Sequence, residues 1–373
     1  MQLKPFALDH WLDTYARDVE FDLAASTGPT WTANDILSLG GDAVRERYLH
    51  HTLTYGRAAG SDGLRAAIAE MHGVDEESVQ IVAGASEALL ILFWLAASPG
   101  ANVILPQPGF PTFAALPESL GVETRFYTIR RENEFQIDPA EIESLIDANT
   151  KLVLVNNPHN PTGATLSDGE MDALHDVTSA RGITLVSDEV YHPIYHDVAP
   201  QSAARLPRVT VISDFSKAFP LAGTRVGWIV ERDARRREAY KNARCYFSVS
   251  NCSAGEILAE VAVRARKTVW GKTQETARRN LATLDAFMAD RRDTFGWIRP
   301  RGGLTAFPWL RSGEDSRAFC RTAAEHGVLL APGDCFGQPE HFRIGFGATG
   351  EKFGEALERL ARIEQLIDGA LSR

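Results

Sequence analysis

The stretch that decides how this chain is interpreted is Ser213-Asp-Phe-Ser-Lys217-Ala-Phe-Pro-Leu-Ala-Gly-Thr-Arg225-Val-Gly-Trp228. The apolar run that leads into it, residues 209–213, is typical of a buried strand. Lys217 follows in a turn of small residues, and Arg225 precedes a second apolar run. A lysine beside a buried strand is costly to leave unpaired, so Lys217 is either solvated or used chemically. By itself the stretch leaves both interpretations open, and a surface lysine is the commoner of the two.

The composition is that of an ordinary globular protein. The 373 residues are enough for a large core and predict about two domains. Apolar residues make up 44% of the chain and charged residues 24%, as in typical soluble domains. The net charge of −10 argues against nucleic acid or an anionic membrane surface as a partner.

Nothing in the sequence indicates export or membrane insertion. The first residues lack the apolar core of a secretory signal, and the longest apolar run, residues 88–97, is too short to cross a bilayer. The four cysteines are scattered without a C-x-x-C pair, which predicts reduced thiols and no metal site. We therefore expect a cytoplasmic protein.

Two further predicted strands end in turns suited to a ligand. After residues 79–82 comes Ala83-Gly-Ala-Ser-Glu87, a small-residue turn that enters a helix. The free N–H groups at such a helix start suit a phosphate, although a plain tight turn is equally compatible. After the apolar strand 151–155 comes Asn156-Asn-Pro-His-Asn-Pro-Thr-Gly163. Its two X-Pro bonds predict a rigid loop at the carboxyl end of a strand, where open α/β sheets bind ligands.

Three more residues have positions that suit a binding site. Phe110 and Asp188 each follow a predicted strand, and Arg343 lies inside the apolar strand 341–347. Core packing for Phe110 and a helix cap for Asp188 are the ordinary alternatives. A charged side chain inside an apolar strand requires a partner, so Arg343 is the most informative of the three.

Taken in chain order, these strings resemble those of the fold-type I pyridoxal-phosphate (PLP) enzymes, specifically the class I/II aminotransferases. The similar strings span residues 55–347, which is most of the chain. The resemblance implies an α/β fold of the aspartate-aminotransferase type, with a three-layer α/β/α large domain that has a mostly parallel sheet, plus a small α+β domain. We place the large, PLP-binding domain at residues 41–265 and the small domain at 266–373, with residues 1–40 packing against the small domain.

The resemblance assigns five residues to the ring of PLP. Lys217 would be the catalytic residue, because it would hold the cofactor as a Schiff base and then act as general base. Asp188 would pair with the protonated pyridine nitrogen. Asn160 and Tyr191 would hydrogen-bond the phenolic oxygen, and Phe110 would stack on the ring.

A second group of residues would bind the phosphate. Ala85 and Ser86 would donate backbone amides, and Arg225 would supply a planar, permanently charged partner. Three residues before the lysine the common family pattern has Ser or Thr, whereas this chain has Asp214, whose charge would repel a phosphate. Either Asp214 turns away and Ser216 takes its place, or phosphate binding differs in detail; we expect the former.

The resemblance also implies contacts with the substrate and with a second subunit. Arg343 would bind the substrate α-carboxylate bidentately, and Asn160 and Gly28 would also contact the substrate. Gly28 lies in the turn near the end of residues 1–30, a stretch that we predict to be irregular. Tyr55, in a Tyr-Gly…Gly-Leu-Arg string, would reach the phosphate bound to the neighbouring subunit of a homodimer with shared active sites. Arg244 loosely resembles an arginine that binds a side-chain carboxylate, although a helix-surface arginine is the commoner interpretation.

The resemblance therefore predicts a PLP-dependent amino acid aminotransferase that transfers an amino group from an L-amino acid to a 2-oxo acid by a ping-pong mechanism. Its partners would be these small molecules and a second copy of the chain, with no nucleic acid, membrane or metal. The C-terminal strings at residues 301–308 and 326–347 also resemble capreomycidine synthase, so PLP-dependent elimination or cyclisation is the alternative. A non-enzymatic regulator is disfavoured because the negative charge is unsuited to DNA.

Overall fold

The computed structural model describes residues 2–371 of the chain. The helices are α1 Ala7–Tyr15, α2 Ala33–Gly40, α3 Asp42–Leu49, α4 Asp62–His72, α5 Ala85–Ala96, α6 Pro111–Ser119, α7 Pro139–Ser144, α8 Asp168–Ala180, α9 Ala234–Phe247, α10 Ser253–Arg264, α11 Arg266–Asp290, α12 Ser316–Glu325 and α13 Phe353–Leu371. The strands are β1 Phe21–Asp22, β2 Val79–Val82, β3 Asn102–Gln107, β4 Glu123–Thr128, β5 Thr150–Asn156, β6 Thr184–Asp188, β7 Val209–Asp214, β8 Gly227–Val230, β9 Phe295–Gly296, β10 Thr305–Ala306, β11 Trp309–Leu310, β12 Val328–Leu329, β13 Ala331–Pro332 and β14 Phe342–Gly345. Within these residues no helix combines the length and the apolar character needed to cross a membrane.

A seven-stranded sheet in the order β2-β8-β7-β6-β5-β3-β4 forms the centre of the structure. Its neighbouring strands are parallel except at β8, which runs antiparallel to β2 and β7. Alternate side chains of β5 enter opposite cores, because side chains alternate along a strand. Val153 and Val155 belong to one apolar cluster, and Leu152 and Leu154 belong to the other. This double burial explains why the strand is apolar without alternation.

Helices cover both faces of the sheet. One apolar cluster takes buried residues from α5, α6 and α9, such as Leu89, Phe113 and Tyr240. The other cluster takes residues from α4, α8, α10 and α11, such as Leu64 and Met171. The predicted three-layer α/β/α arrangement with a mostly parallel sheet is confirmed.

The other strands in the described part of the chain are short and form small sheets. From Phe295 onward, five of them pair antiparallel, as β10-β14-β13 and β11-β9, and α12 and α13 lie in the same part of the chain. This is the expected smaller α+β part. β1 pairs in parallel with β12, with Phe21 opposite Val328, so the beginning of the chain joins the C-terminal third. The domain boundaries themselves, at residues 41 and 266, stay a prediction.

The prediction that residues 1–30 are irregular is wrong, because they contain α1. Leu8 and Trp11 on this helix are buried, and Trp11 Nε1 donates a hydrogen bond to Leu330 O at 2.8 Å. Apolar side chains at positions 8, 11, 12 and 15 have the spacing of a helix face. The signal for α1 was therefore present in the sequence.

The strand order reverses direction at one point of the central sheet. The chain passes from β3 outward to β4, whereas β5, β6 and β7 follow one another in the opposite direction. Ligands of open α/β sheets bind at such a switch point, beyond the carboxyl ends of the strands. Phe110, Asn160 and Lys217 follow β3, β5 and β7, and Asp188 is the last residue of β6. Because these strands are parallel, the fold brings four predicted site residues to the same edge.

Candidate active site

Lys217 lies in the turn that follows β7. Its Nζ donates a hydrogen bond to Ser26 Oγ at 2.7 Å and lies 5.9 Å from the centre of the Tyr191 ring. The side chain is half-buried, so the amine is partly protected from solvent and still accessible. Ser26 is a contact that the sequence analysis missed, and its position two residues before Gly28 is the only signal that could have found it.

Asp188 ends β6 and is 5% exposed. The Val190 N–H donates to its Oδ1 at 3.2 Å. Burial raises the pKa of Asp188 to about 7, the charges of Asp214 and Glu189 add to the rise, and Lys217 opposes it. A buried carboxyl group of this kind ionises readily when a cation comes beside it, and a protonated ring nitrogen would be such a cation.

Arg343 of β14 is joined to the loop that follows β5. Its Nη1 donates to Asn160 Oδ1 at 3.0 Å, and its Nη2 donates to Ala24 O at 2.7 Å. The guanidinium is 3% exposed and lies 5.0 Å from the centre of the Phe336 ring. Burial lowers the pKa of Arg343, and within the described residues its Nε has no hydrogen-bond partner. A buried guanidinium with an open N–H is suited to bind a carboxylate.

Tyr191 and the loop after β5 complete this side of the site. The Asn160 N–H donates to Asn156 Oδ1 at 2.8 Å, and Asn156 Nδ2 donates to Asp188 O at 3.1 Å. The loop is therefore tied to the end of β6. Tyr191 is 1% exposed, and its hydroxyl finds no partner in the described part of the chain. An unpaired buried hydroxyl is uncommon in native proteins, and a ligand oxygen would satisfy it.

The start of α5 forms a positive cup beside the lysine segment. Gly84, with a φ of 77°, precedes the helix, and a Cβ there would lie 2.7 Å from Arg225 Nη2. The guanidinium is thus packed against the turn, where a side chain would clash with it. Arg225 and Ser86 are exposed, and the Ala85 amide is one of the donors at the helix start that have no partner within the helix. These groups provide the charge and the donors that a phosphate needs.

Asp214 faces this cup, so the expectation that it turns away is wrong. Its Oδ2 accepts from the Ala85 N–H at 3.2 Å, and its Oδ1 accepts from the Ser216 N–H and hydroxyl at 2.8 and 2.6 Å. A buried carboxylate requires donors, and the helix start is the nearest supply of them. The hydroxyl of Ser216 is therefore engaged with Asp214.

Three other predicted residues lie in different surroundings. Phe110 is half-buried at the start of α6, with its ring centre 6.0 Å from that of Phe113. Gly28 is buried, and a Cβ there would lie 3.2 Å from Pro220 Cβ, in the segment just after Lys217. Tyr55 is 85% exposed, so it is not packed into the site of its own chain.

The interpretation of Arg244 as a helix-surface residue is wrong, because its side chain is fully buried. Its Nη1 donates to Ala58 O at 2.6 Å and to Val249 O at 3.2 Å, and its Nη2 donates to Asn251 Oδ1. Its Nε lies 3.7 Å from a carboxylate oxygen of Glu87. Both terminal nitrogens are thus used to join α9 to neighbouring loops. The burial of Arg244 could not be predicted from the strongly polar sequence of α9, because it depends on tertiary contacts.

A sheltered lysine, a buried carboxyl group, an unpaired phenol and a positive helix start meet at the carboxyl edge of one parallel sheet. This combination fits a phosphorylated aromatic cofactor that bonds to lysine, as in fold-type I PLP enzymes. The model of the family "Aminotransferase class I and II" matches residues 34–360. The chain belongs to this family, and it is a PLP-dependent enzyme.

Individual relatives agree with this assignment. Capreomycidine synthase of Streptomyces vinaceus is 30% identical over 91% of this chain and 88% of its own length. The arginine–pyruvate transaminase of Pseudomonas aeruginosa is 30% identical over 82% of this chain and 81% of its own length.

Solved structures are also similar along the whole chain. The crystal structure of a PLP-dependent aminotransferase from Streptococcus suis matches with a TM-score of 0.92 and 25% identity, and 98% of each chain is covered. The structure of the PLP-dependent cyclase OrfR matches with a TM-score of 0.85 and 28% identity, and 97% of each chain is covered. The fold is thus shared by proteins named for different reactions.

Proposed function

We propose that the protein is an amino acid aminotransferase, which transfers the amino group of an L-amino acid to a 2-oxo acid by a ping-pong mechanism. The observation that carries the proposal is that Arg343 and Lys217 both donate hydrogen bonds to the short segment 24–26, Arg343 to Ala24 O at 2.7 Å and Lys217 to Ser26 Oγ at 2.7 Å. Chemistry at the α-carbon of an amino acid needs a cation for the carboxylate and a base for the α-proton. These two residues would supply the two groups.

Arg343 would bind the α-carboxylate. Its open Nε and a terminal nitrogen would form the bidentate contact, while Asn160 Oδ1 and Ala24 O keep the guanidinium plane in place. Gly28 would line the same pocket. A larger residue would not fit there, because a Cβ would lie 2.9 Å from Thr273 Cγ2.

Lys217 would hold the cofactor covalently at rest. When bound, PLP supplies an electron sink for the charge that is left on the substrate α-carbon. Once the substrate has taken the place of Lys217 on the cofactor, the freed Lys217 amine would take the α-proton of the substrate and would deliver a proton to the cofactor carbon that receives the amino group. The Ser26 hydroxyl, at 2.7 Å, would orient this amine. Asp188 would keep the ring nitrogen protonated through its negative charge.

The other cofactor contacts follow from the positions around the sheet edge. Tyr191 has an unpaired hydroxyl and Asn160 has an amide nitrogen, and both groups suit the phenolic oxygen. The ring would lie against an aromatic side chain, and the phosphate would enter the cup at the start of α5. The residues concerned are Phe110 for the ring and Ala85, Ser86, Ser216 and Arg225 for the phosphate.

A homodimer with shared active sites is part of the proposal. Leu49, Leu53, Tyr55 and Tyr246 are large apolar or aromatic residues that are exposed, and such residues favour burial against another chain. Tyr55 would reach the phosphate site of the partner subunit. A cytoplasmic location is proposed on the ground that all four cysteines are free thiols.

The test separates the two halves of the reaction. Purified protein is loaded with PLP and mixed with one amino acid at a time, without any 2-oxo acid, and then with pyruvate. L-Arginine and pyruvate come first, because they are named for the Pseudomonas aeruginosa relative. A productive amino acid should convert the absorption spectrum to that of pyridoxamine phosphate, and pyruvate should reverse the change. The proposal fails if no amino acid converts the cofactor.

A second candidate is PLP-dependent elimination or cyclisation. The likeness to capreomycidine synthase and to a PLP-dependent cyclase favours it. Such a reaction consumes no 2-oxo acid and leaves the cofactor in its aldehyde form. A product detected by mass spectrometry without any 2-oxo acid, and without the spectral change, would favour this candidate over transamination.

A further inference from the structure

Asp214 holds the donors that a phosphate would need. The Ala85 amide and the Ser216 hydroxyl, which the proposed function assigns to the phosphate of PLP, both donate to its carboxylate, at 3.2 and 2.6 Å. The Ser216 amide donates to it as well, at 2.8 Å. The carboxylate is 6% exposed, so water does not offer it comparable partners.

A carboxylate and a phosphate cannot both use these donors. Each donor N–H or O–H that turns to one anion is withdrawn from the other, and two negative charges a few ångströms apart repel each other. Arg225 and Ser86 are exposed, and neither donates any of the three hydrogen bonds to Asp214 described above. They are the part of the cup that remains open to a phosphate.

We propose that Asp214 is an internal anion that holds the phosphate donors in the cofactor-free protein and yields at least the Ala85 amide when the cofactor enters. This inference rests on the proposed function. The Ala85 contact is the longest of the three, whereas Ser216 lies in the same turn as Asp214 and can stay bonded to it. Asp214 thus lowers the affinity of the cup for phosphate and keeps free phosphate out of it.

Asp214 has a second effect, which the test must separate from the first. Its negative charge adds to the raised pKa of Asp188, after the larger effect of burial. Removing Asp214 would therefore favour the ionised form of Asp188 and strengthen the binding of any pyridinium ring. This second effect does not depend on a phosphate, so a ligand without one measures it alone.

The experiment compares wild type, Asp214→Ser and a matched control, Asp138→Ser. Asp138 also accepts a backbone amide, that of Ala140 at 2.9 Å, but it caps α7 and lies outside the cup. Cofactor-free protein is titrated with pyridoxamine 5′-phosphate, pyridoxamine and inorganic phosphate by calorimetry. The amine forms are used because they do not bond to Lys217. The quantity of interest is the ratio of the pyridoxamine Kd to the pyridoxamine phosphate Kd.

We expect Asp214→Ser to raise this ratio about 5- to 1,000-fold, the range between one like-charge contact in water and one near a protein surface. It should also let inorganic phosphate bind, while Asp138→Ser leaves the ratio at the wild-type value. Asp214→Asn, which keeps the shape of the side chain, should shift the ratio in the same direction and covers the case that Asp214→Ser does not fold. An unchanged or lower ratio in both variants would overturn the inference. Failure of the wild-type protein to bind either amine form would instead overturn the proposed function, and the inference with it.

Discussion

At the scale of single residues, the proposed role of Arg343 depends on the N–H group that its neighbours do not bind. Its terminal nitrogens donate to Asn160 and Ala24, and its buried Nε has no hydrogen-bond partner among the residues that the structure describes. Because an unpaired buried donor costs free energy, a carboxylate substrate is the partner that would complete the set.

Arg343→Lys should therefore lower kcat/KM for the best amino acid by about 30- to 5,000-fold, or roughly 2–5 kcal/mol, the range for truncating a buried charge pair. A lysine ammonium cannot form the bidentate contact. Steady-state kinetics measure the loss. Arg299→Lys is the control, because Arg299 is exposed and contacts Asp285 at 3.1 Å. A value within twofold of wild type for Arg343→Lys would contradict the carboxylate assignment.

Asp188 makes the stability of the cofactor-free protein depend on pH. Its pKa is raised by burial from 3.8 to about 7, so the folded state binds its proton more tightly than the unfolded state does. The stability that this proton contributes is complete below pH 3.8 and is lost as the pH rises through about 7.

Asp188→Asn should remove this dependence. Between about pH 5 and pH 8, the cofactor-free wild type should lose roughly 2–3 kcal/mol of unfolding free energy more than the variant does. Urea unfolding at the two pH values measures the difference. Asp18→Asn is the control, since Asp18 is exposed. Equal pH dependence in Asp188→Asn and wild type would show that Asp188 is not protonated in the folded state.

At the scale of elements, α1 fastens the beginning of the chain to the C-terminal third. Trp11 is buried and donates to Leu330 O, beside the pairing of β1 with β12. Through this attachment the residues that follow, from Ala24 to Gly28, reach Arg343 and the lysine segment. α1 therefore helps to position residues 24–28 against Arg343 and the lysine segment, although it lies outside the candidate site itself.

Trp11→Ala should lower the unfolding free energy by about 3–5 kcal/mol, because it removes a large buried side chain and leaves a cavity. Denaturant unfolding of the PLP-loaded protein measures the change. Leu3→Ala, at a position 61% exposed, should change it little. If the two substitutions cost the same, α1 is not docked as described.

At the scale of the whole molecule, the single chain leaves the proposed site incomplete. Tyr55 is 85% exposed, which is unusual for a large aromatic residue with a proposed contact to phosphate. Exposed Leu49, Leu53 and Tyr246 add to the apolar surface. A two-fold dimer would bury such a surface and share residues between sites.

Mixing inactive Tyr55→Ala and Lys217→Ala proteins in equal amounts should therefore restore activity. Random exchange makes half of the dimers mixed, and each mixed dimer has one intact site of two, so about one quarter of wild-type activity is expected. Activity after mild dissociation and reassociation measures the recovery, and light scattering checks the oligomeric state. No recovery, with subunit exchange demonstrated by mass spectrometry, would contradict a shared site.

The sequence by itself determined the mostly parallel central sheet and the sheet edge at which the candidate site lies. The strand at 151–155 was predictable because strands buried on both faces read as apolar runs, and those at 79–82 and 209–213 were predictable because they are short, mainly apolar runs followed by turn residues. Phe110, Asn160, Asp188 and Lys217 were predictable as neighbours, because parallel strands end at a common edge. α1 also has a helical signal in the sequence, in the spacing of its apolar residues.

Only the tertiary structure decided which polar groups meet. Lys217 and Ser26 are 191 positions apart, and Arg343 and Ala24 are 319 positions apart, so no local pattern links them. The direction of Asp214 and the burial of Arg244 depended on donors and acceptors brought by α5 and by loops from distant parts of the chain. Local sequence governs backbone periodicity and turns, whereas the partners of a buried charge are set by packing between elements, because each such charge must be satisfied wherever the fold places it.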